Sequence, residues 1–175
     1  MKNVGKERRE LGTRTIFNML GPLLNPAPLT GQLMGVYDET LIDAVGKVLL
    51  ELGLDRALVV HGNDGLDELT TTTTSTVCEL KDGKLRKFTL DPKYYGIPYA
   101  NIKDIAGGEA KENARIIIDI LNGKKGPERD IVVLNAGAGF FAGKITDSIE
   151  EGIALANKLL DEGTALAKYN ELKEA

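Results

Sequence analysis

The stretch QLMGVYDETLIDAVGKVLLELGLDRALVVHG, residues 32–62, decides the class of the fold. Its two ends, residues 32–37 and 56–62, are short apolar runs, which predict two buried strands. Between them, apolar residues recur at the three-and-four spacing of an amphipathic helix over residues 39–52. Asp38 is the expected N-cap of this helix, and Gly53 ends it. Strand, helix and strand in this order predict a βαβ unit with a right-handed connection, and therefore an α/β fold.

The rest of the chain adds a hairpin and several helices. Residues 73–80 and 85–90 read as strands, and the Asp82-Gly83 pair between them is a good hairpin signal. Residues 130–143 fit either a strand or a buried helix by local pattern. Helices are expected at residues 14–20, where the prolines that begin at Pro22 should end the helix, and at residues 109–122, 147–162 and 164–172.

Composition limits the function classes. A chain of 175 residues most simply forms one domain, and its net charge of -4 argues against a nucleic-acid binder. No apolar run is long enough to span a membrane, and the basic start lacks the apolar segment of a signal peptide. The single cysteine, Cys78, cannot form an internal disulfide. We therefore expect a cytoplasmic protein that contacts neither nucleic acid nor membrane.

The segment HGNDGLDEL, residues 61–69, is the strongest candidate site. It leaves the end of a predicted strand, where ligands bind in open α/β sheets, and it carries Asp64, Asp67 and Glu68. Adjacent acids repel each other unless a cation lies between them. Mg²⁺ is commonly held by one or two carboxylates while substrate phosphates complete its coordination. The alternative is an acidic, solvated turn without a ligand.

Other candidates are weaker. Arg8, with Arg9 and Arg14, could bind a carboxylate or phosphate as a fork, or could lie on a solvated helix face. His61 has no paired acid or nucleophile, so a structural role is favoured. The glycines of residues 137–143 lack dinucleotide-binding spacing, which favours close helix packing. The threonines of residues 70–74 suit a strand with solvated hydroxyls.

Several stretches together resemble the anthranilate phosphoribosyltransferase family. They run in order along nearly the whole chain, and the most specific are LGPLLNP at residues 20–26 and DGLDE at residues 64–68. The resemblance implies part of a mixed, mainly parallel α/β domain of the kind shared with nucleoside phosphorylases, with a β-hairpin and C-terminal helices. In that comparison residues 1–30 correspond to the hinge and helical-domain part, and residues 31–175 to the C-terminal part of the α/β domain. It also favours a buried helix for residues 130–143.

The resemblance implies a function as well. Family members transfer the phosphoribosyl group of phosphoribosyl pyrophosphate (PRPP) to anthranilate, with Mg²⁺ as cofactor and pyrophosphate as the leaving group, in tryptophan biosynthesis. Asp67 and Glu68 match the acids that hold the metal. Arg8 matches the arginine that contacts anthranilate, and Gly21 and Pro22 match the wall of the aromatic site. No residue is assigned as a catalytic acid or base.

The sequence also departs from the family pattern. Family members are about twice as long and carry a Gly-Thr-Gly-Gly-Asp phosphate loop and a Lys-His-Gly-Asn-Arg stretch, neither of which occurs here. The chain therefore resembles a C-terminal half, and we expect it to be inactive alone. An N-terminal half, or self-association, should cover an unpaired sheet edge. The alternatives are a non-catalytic metal- or anion-binding module derived from the enzyme, and a related glycosyl-transferring enzyme with another acceptor.

Overall fold

The computed structural model describes residue 10 and residues 17–174, with four strands in one sheet in the order β1-β2-β3-β4. Strands β1 and β2 are parallel, and the β2–β3 and β3–β4 pairings are antiparallel. The sheet is therefore mixed, as expected for the α/β class. The strands are Gly31–Gly35 (β1), Arg56–Gly62 (β2), Ser75–Lys81 (β3) and Lys84–Leu90 (β4).

Seven α-helices lie within residues 17–174. They are Phe17–Leu23 (α1), Ile42–Glu51 (α2), Ile102–Ile105 (α3), Ala110–Leu121 (α4), Pro127–Ala142 (α5), Ile149–Asp161 (α6) and Thr164–Glu174 (α7). Short 3-10 turns occupy Glu39–Leu41 and Pro92–Tyr95. Within the described part of the chain, none of the helices has the length and apolar character needed to cross a membrane.

The predicted βαβ unit is confirmed, since α2 connects the parallel pair β1 and β2. The Asp38 side chain accepts a hydrogen bond from the Thr40 N–H, as an N-cap does, and Gly53 follows the helix with a φ of 79°. The predicted apolar face is only partly buried. Leu49 is fully buried, whereas Val48 is 37% exposed and Leu52 is 55% exposed.

The sheet lies between two apolar clusters. On one face α2 packs on the sheet, with Ile42, Val45 and Leu49 buried against Val59. On the other face the C-terminal helices pack on it, and α5 supplies buried residues that include Leu134, Ala138 and Phe141. Helices α5 and α6 cross at two glycines, because a Cβ added to Gly152 would lie 2.2 Å from the Gly137 carbonyl oxygen. Burying apolar surface on both faces fixes the sheet and the loops that leave it.

Two sequence expectations are decided here. Residues 130–142 belong to a buried helix, α5, which ends one residue before Gly143, and this confirms the expectation drawn from the resemblance. The prediction that the first helix stops before the prolines was wrong, because α1 continues through Pro22 to Leu23. A proline next to the last helical residue removes only one hydrogen bond, at the end where the helix is weakest, so the helix tolerates it.

Candidate functional site

The candidate site lies in the loop of residues 63–74, called the acid loop below, which joins β2 to β3. Its ends are fixed together, because Gly62 and Ser75 are paired in the antiparallel ladder. The Gly62 N–H donates to the Leu66 carbonyl at 2.8 Å, and the Asn63 N–H donates to the Thr74 carbonyl at 3.0 Å. The loop therefore begins at the carboxyl end of β2, the end where the sequence predicted a ligand.

Asp64 is committed to holding the acid loop in shape. Its Oδ2 accepts hydrogen bonds from the Thr70 hydroxyl at 2.6 Å and the Thr72 hydroxyl at 2.5 Å, and its Oδ1 accepts from the Leu66 N–H. Partial desolvation acts to raise the pKa of Asp64, but these hydrogen bonds outweigh it and lower that pKa below its usual value. The ionised Asp64 side chain thus joins the start of the loop to Thr70 and Thr72 on its far side.

Asp67 and Glu68 differ from Asp64 in having no such partners. Both residues are exposed, and neither carboxylate accepts a hydrogen bond or forms an ion pair with a residue that the structure describes. Partial desolvation, then the negative charges of Asp67 and Asp64, raise the pKa of Glu68. The side chains at the tip of the acid loop therefore form a region of uncompensated negative charge.

This pair fits a divalent cation that a substrate helps to bind. In the described residues no three His, Cys, Asp or Glu side chains converge as a metal-binding group, so this part of the chain offers no closed cage. A pair of exposed carboxylates does match the way Mg²⁺ is usually bound, with one or two protein ligands and the remainder from phosphates and water. A bound cation would also relieve the repulsion that Asp67 and Asp64 exert on the Glu68 carboxylate.

The backbone on both sides of the pair is held by other elements. Gly35, the last residue of β1, lies so close that an added Cβ would fall 1.6 Å from the Asp67 carbonyl oxygen. On the far side, the Leu69 N–H donates to the Asn135 Oδ1 at 3.0 Å, and the Asn135 Nδ2 donates to the Leu69 carbonyl at 2.8 Å. The backbone on both sides of the two acids is thus in contact with β1 and with α5.

Of the residues expected on the anthranilate side, only Gly21 and Pro22 are described, and they lie away from the acid loop. Arg8 lies outside the described residues. Gly21 and Pro22 are exposed near the end of α1, and the Gln32 side chain donates to the Pro22 carbonyl at 3.1 Å. Pro22 also lines a cleft of about 260 Å³ together with Gln32 and Leu54. Gln32 and Leu54 lie where β1 and β2 begin, whereas the acid loop lies where β2 ends.

Three other sequence candidates have structural roles. The His61 Nδ1 donates to the Val36 carbonyl at 2.8 Å, which joins the ends of β1 and β2. Cys78 is 3% exposed and faces Gly46 of α2, so it is a packing residue as expected. Gly137 lies at the α5–α6 crossing, which confirms helix packing as the reason for a glycine there.

Sequence reasoning missed part of the support of the acid loop. The expectation that the threonine hydroxyls are solvated was wrong, since Thr70 and Thr71 are fully buried and the Thr70 hydroxyl donates to Asp64. Asn135 was not singled out. An asparagine inside an apolar helical stretch is the signal that could have found it, because a buried amide needs hydrogen-bond partners.

The chain is similar in sequence and in structure to known proteins. The chain is 61% identical over 172 residues to the anthranilate phosphoribosyltransferase of Clostridium beijerinckii, an alignment that covers 98% of this chain and 51% of that relative. A crystal structure of the Thermus thermophilus anthranilate phosphoribosyltransferase matches with a TM-score of 0.88 and 40% identity, over 95% of this chain and 49% of that one. The Saccharomyces cerevisiae enzyme in complex with PRPP and Mg matches with a TM-score of 0.85 and 30% identity, over 95% and 48%.

The relatives that this chain matches are longer than the chain. The chain spans about half the length of the curated relatives it matches. The model of the glycosyl transferase family, a/b domain, matches residues 1–166, which is nearly the whole chain. The chain therefore belongs to the glycosyl transferase family, through its a/b domain.

Proposed function

We propose that this chain supplies the metal-binding acids and the acceptor-side residues for phosphoribosyl transfer from PRPP to anthranilate. The products are N-(5-phosphoribosyl)anthranilate and pyrophosphate, and the reaction belongs to tryptophan biosynthesis. The names of its relatives and the PRPP and Mg complex of the yeast enzyme support this proposal. The single buried cysteine is consistent with a reducing compartment, and we place the protein in the cytoplasm.

The exposed pair Asp67 and Glu68 is the observation that carries the proposal. When bound, Mg²⁺ would neutralise the pyrophosphate oxygens and so stabilise the leaving group as negative charge develops on it. Asp67 and Glu68 would hold the cation by their carboxylates, since these accept no hydrogen bond from the described residues and are free to ligate. Asp64 would stay outside the metal shell, because its two oxygens already accept bonds from Thr70, Thr72 and Leu66.

The acceptor side of the proposal rests on the resemblance. A guanidinium fork binds a planar carboxylate through two parallel hydrogen bonds, so Arg8 is the proposed partner of the anthranilate carboxylate. Gly21 and Pro22 would form one wall for its ring. An Arg8→Lys variant tests this assignment, because a lysine keeps the charge but loses the fork. We expect its KM for anthranilate to rise by about tenfold with the KM for PRPP unchanged; equal changes in both would remove Arg8 from the acceptor site.

The proposal also includes a partner. Among the strands that the structure describes, β1 pairs only with β2, so its other edge presents unpaired backbone groups. We propose that residues 1–30 act as the hinge part, that residues 31–175 complete the α/β domain, and that either an N-terminal half or a second copy covers this edge. Size-exclusion chromatography with and without the half of the Clostridium beijerinckii relative that this chain does not match tests the two options.

The activity test follows the loss of anthranilate fluorescence in the presence of PRPP and Mg²⁺. The 175-residue chain is assayed alone and with that added half, beside an Asp67→Ala/Glu68→Ala variant. A Glu171→Ala/Glu174→Ala variant, which removes the same charge from the exposed end of α7, is the matched control. We expect turnover only with both halves, retained by the control and lost by the loop variant. Turnover that survives in the loop variant, or no turnover in any mixture, would refute the proposal.

A further inference from the structure

Asn135 makes an unusual connection between α5 and the acid loop. Its Oδ1 accepts the Leu69 N–H at 3.0 Å, while its Nδ2 donates to the Leu69 carbonyl at 2.8 Å and to the Ile131 carbonyl at 3.0 Å. The side-chain amide thus pairs with the backbone of one residue in both directions, as a neighbouring strand would. Leu69 is fully buried, so these backbone groups have no access to water and depend on Asn135 for their hydrogen bonds.

This connection lies next to the acid pair, because Leu69 directly follows Glu68. Before the pair, the Asp67 backbone packs on Gly35 at the end of β1. After it, Thr70 donates to Asp64 and closes the loop on itself. The contact with Gly35 fixes the acid loop to β1, and the hydrogen bond from Thr70 to Asp64 joins its two sides. The Asn135 contact is the one that fixes the loop to helix α5.

We propose that Asn135 is a positioning residue for the divalent cation at Asp67 and Glu68. It does not touch the cation; it holds the backbone from which the Glu68 side chain is aimed. Groups that orient the ligands of a metal typically change its affinity by about 10–100-fold when they are removed. This inference rests on the proposed function, since it assumes that the two acids bind a cation.

The test measures Mn²⁺ binding to the 175-residue chain by electron paramagnetic resonance, with Mn²⁺ as a visible substitute for Mg²⁺ and inorganic pyrophosphate as a second probe. The variants are Asn135→Ala, Asp67→Asn/Glu68→Gln and Asn157→Ala. Asn157 is the matched control, because its amide oxygen accepts from buried Arg129 at 2.9 Å at a distance from the acid loop. Removing it destabilises the helical layer without touching Leu69. Hydrogen exchange at the Leu69 amide is followed in each folded variant.

The expected result is a Kd for Mn²⁺ that rises by about tenfold in Asn135→Ala, together with faster exchange at Leu69, and an unchanged Kd in Asn157→Ala. If Asn135→Ala binds Mn²⁺ as the parent chain does while Asp67→Asn/Glu68→Gln loses binding, the inference is overturned and the proposed metal pair stands. If Asn157→Ala weakens binding equally, Asn135 contributes only general stability and the inference is again overturned. Binding that the double acid variant retains would remove the metal pair, and the positioning role with it.

Discussion

A Gly35→Ala substitution offers a direct test of how β1 positions the acid loop. The new Cβ would stand 1.6 Å from the Asp67 carbonyl oxygen and 2.6 Å from its carbon, where ordinary contact begins at 3.4 Å. The Asp67 backbone must therefore withdraw by about 2 Å, and because the opposing atoms are backbone they cannot swing aside as a side chain could. Overpacking of this kind costs about 1–3 kcal/mol of unfolding free energy.

The displacement should reach the site as well as the stability. A shift of about 1 Å in a supporting group can cost about a hundredfold in function, so we expect Mn²⁺ affinity at Asp67 and Glu68 to fall by at least about tenfold. Urea unfolding gives the first quantity and Mn²⁺ titration the second. Gly139→Ala in α5 is the matched control, since a Cβ there meets nothing within 4 Å and alanine favours a helix.

Two results would contradict this role of Gly35. A Gly35→Ala chain that unfolds within about 0.5 kcal/mol of the parent, the usual range for harmless surface changes, would mean that the loop relaxes freely. Unchanged Mn²⁺ affinity in a destabilised variant would separate the two effects and show that β1 does not position the acids.

Four further predictions concern charge, burial and backbone. Because the pKa of Glu68 is raised in the fold, its ionised form destabilises the native state at neutral pH. Glu68→Gln should therefore raise the unfolding free energy measured by urea at pH 7. This gain should vanish as the pH falls below the normal glutamate range, where the carboxyl is protonated in both states. The hydrogen bond from Lys144 lowers the pKa of Asp55, so the ionised carboxylate stabilises the fold. Asp55→Asn should therefore lower the unfolding free energy measured by urea at pH 7. Asn157→Ala removes one acceptor of the buried Arg129 guanidinium, which keeps the Asp161 carboxylate at 2.8 Å, so it should cost about 1 kcal/mol of unfolding free energy, and no measurable loss would show that the ion pair alone satisfies Arg129. Gly83→Ala, at φ 70° in the hairpin turn, should lower the melting temperature through a loss of about 1 kcal/mol, and an unchanged melting temperature would refute that strain.

The elements predicted well are those whose pattern is local. The βαβ unit follows from apolar spacing within residues 32–62, and the hairpin follows from Asp82-Gly83, both of which adopt positive φ as a tight hairpin turn requires. Helix α5 was ambiguous because apolar residues occur around much of its circumference, so that Val133, Leu134 and Ala142 are buried while Val132 is exposed. Periodicity cannot separate such a helix from a buried strand.

In the candidate site, too, the residues with a local sequence signal were predicted and those held by distant contacts were not. Asp67 and Glu68 could be singled out because adjacent acids after a strand are a local signal. The Asn135 contact to Leu69 joins residues 66 positions apart, and no spacing rule predicts it. Nor could the chain order reveal that Thr70 and Thr72 turn back to Asp64, since a run of threonines equally favours a strand.

The pairing of Gly62 with Ser75 has a consequence for how this molecule can change over time. The 12 residues of the acid loop therefore begin and end next to two paired residues of neighbouring strands. Leu69, Thr70 and Thr71 are buried and tie the acid loop to the core, whereas Asp67 and Glu68 are exposed. Ligands for a different cation or substrate could therefore be introduced at the exposed positions without removing a hydrogen bond of the β2–β3 ladder.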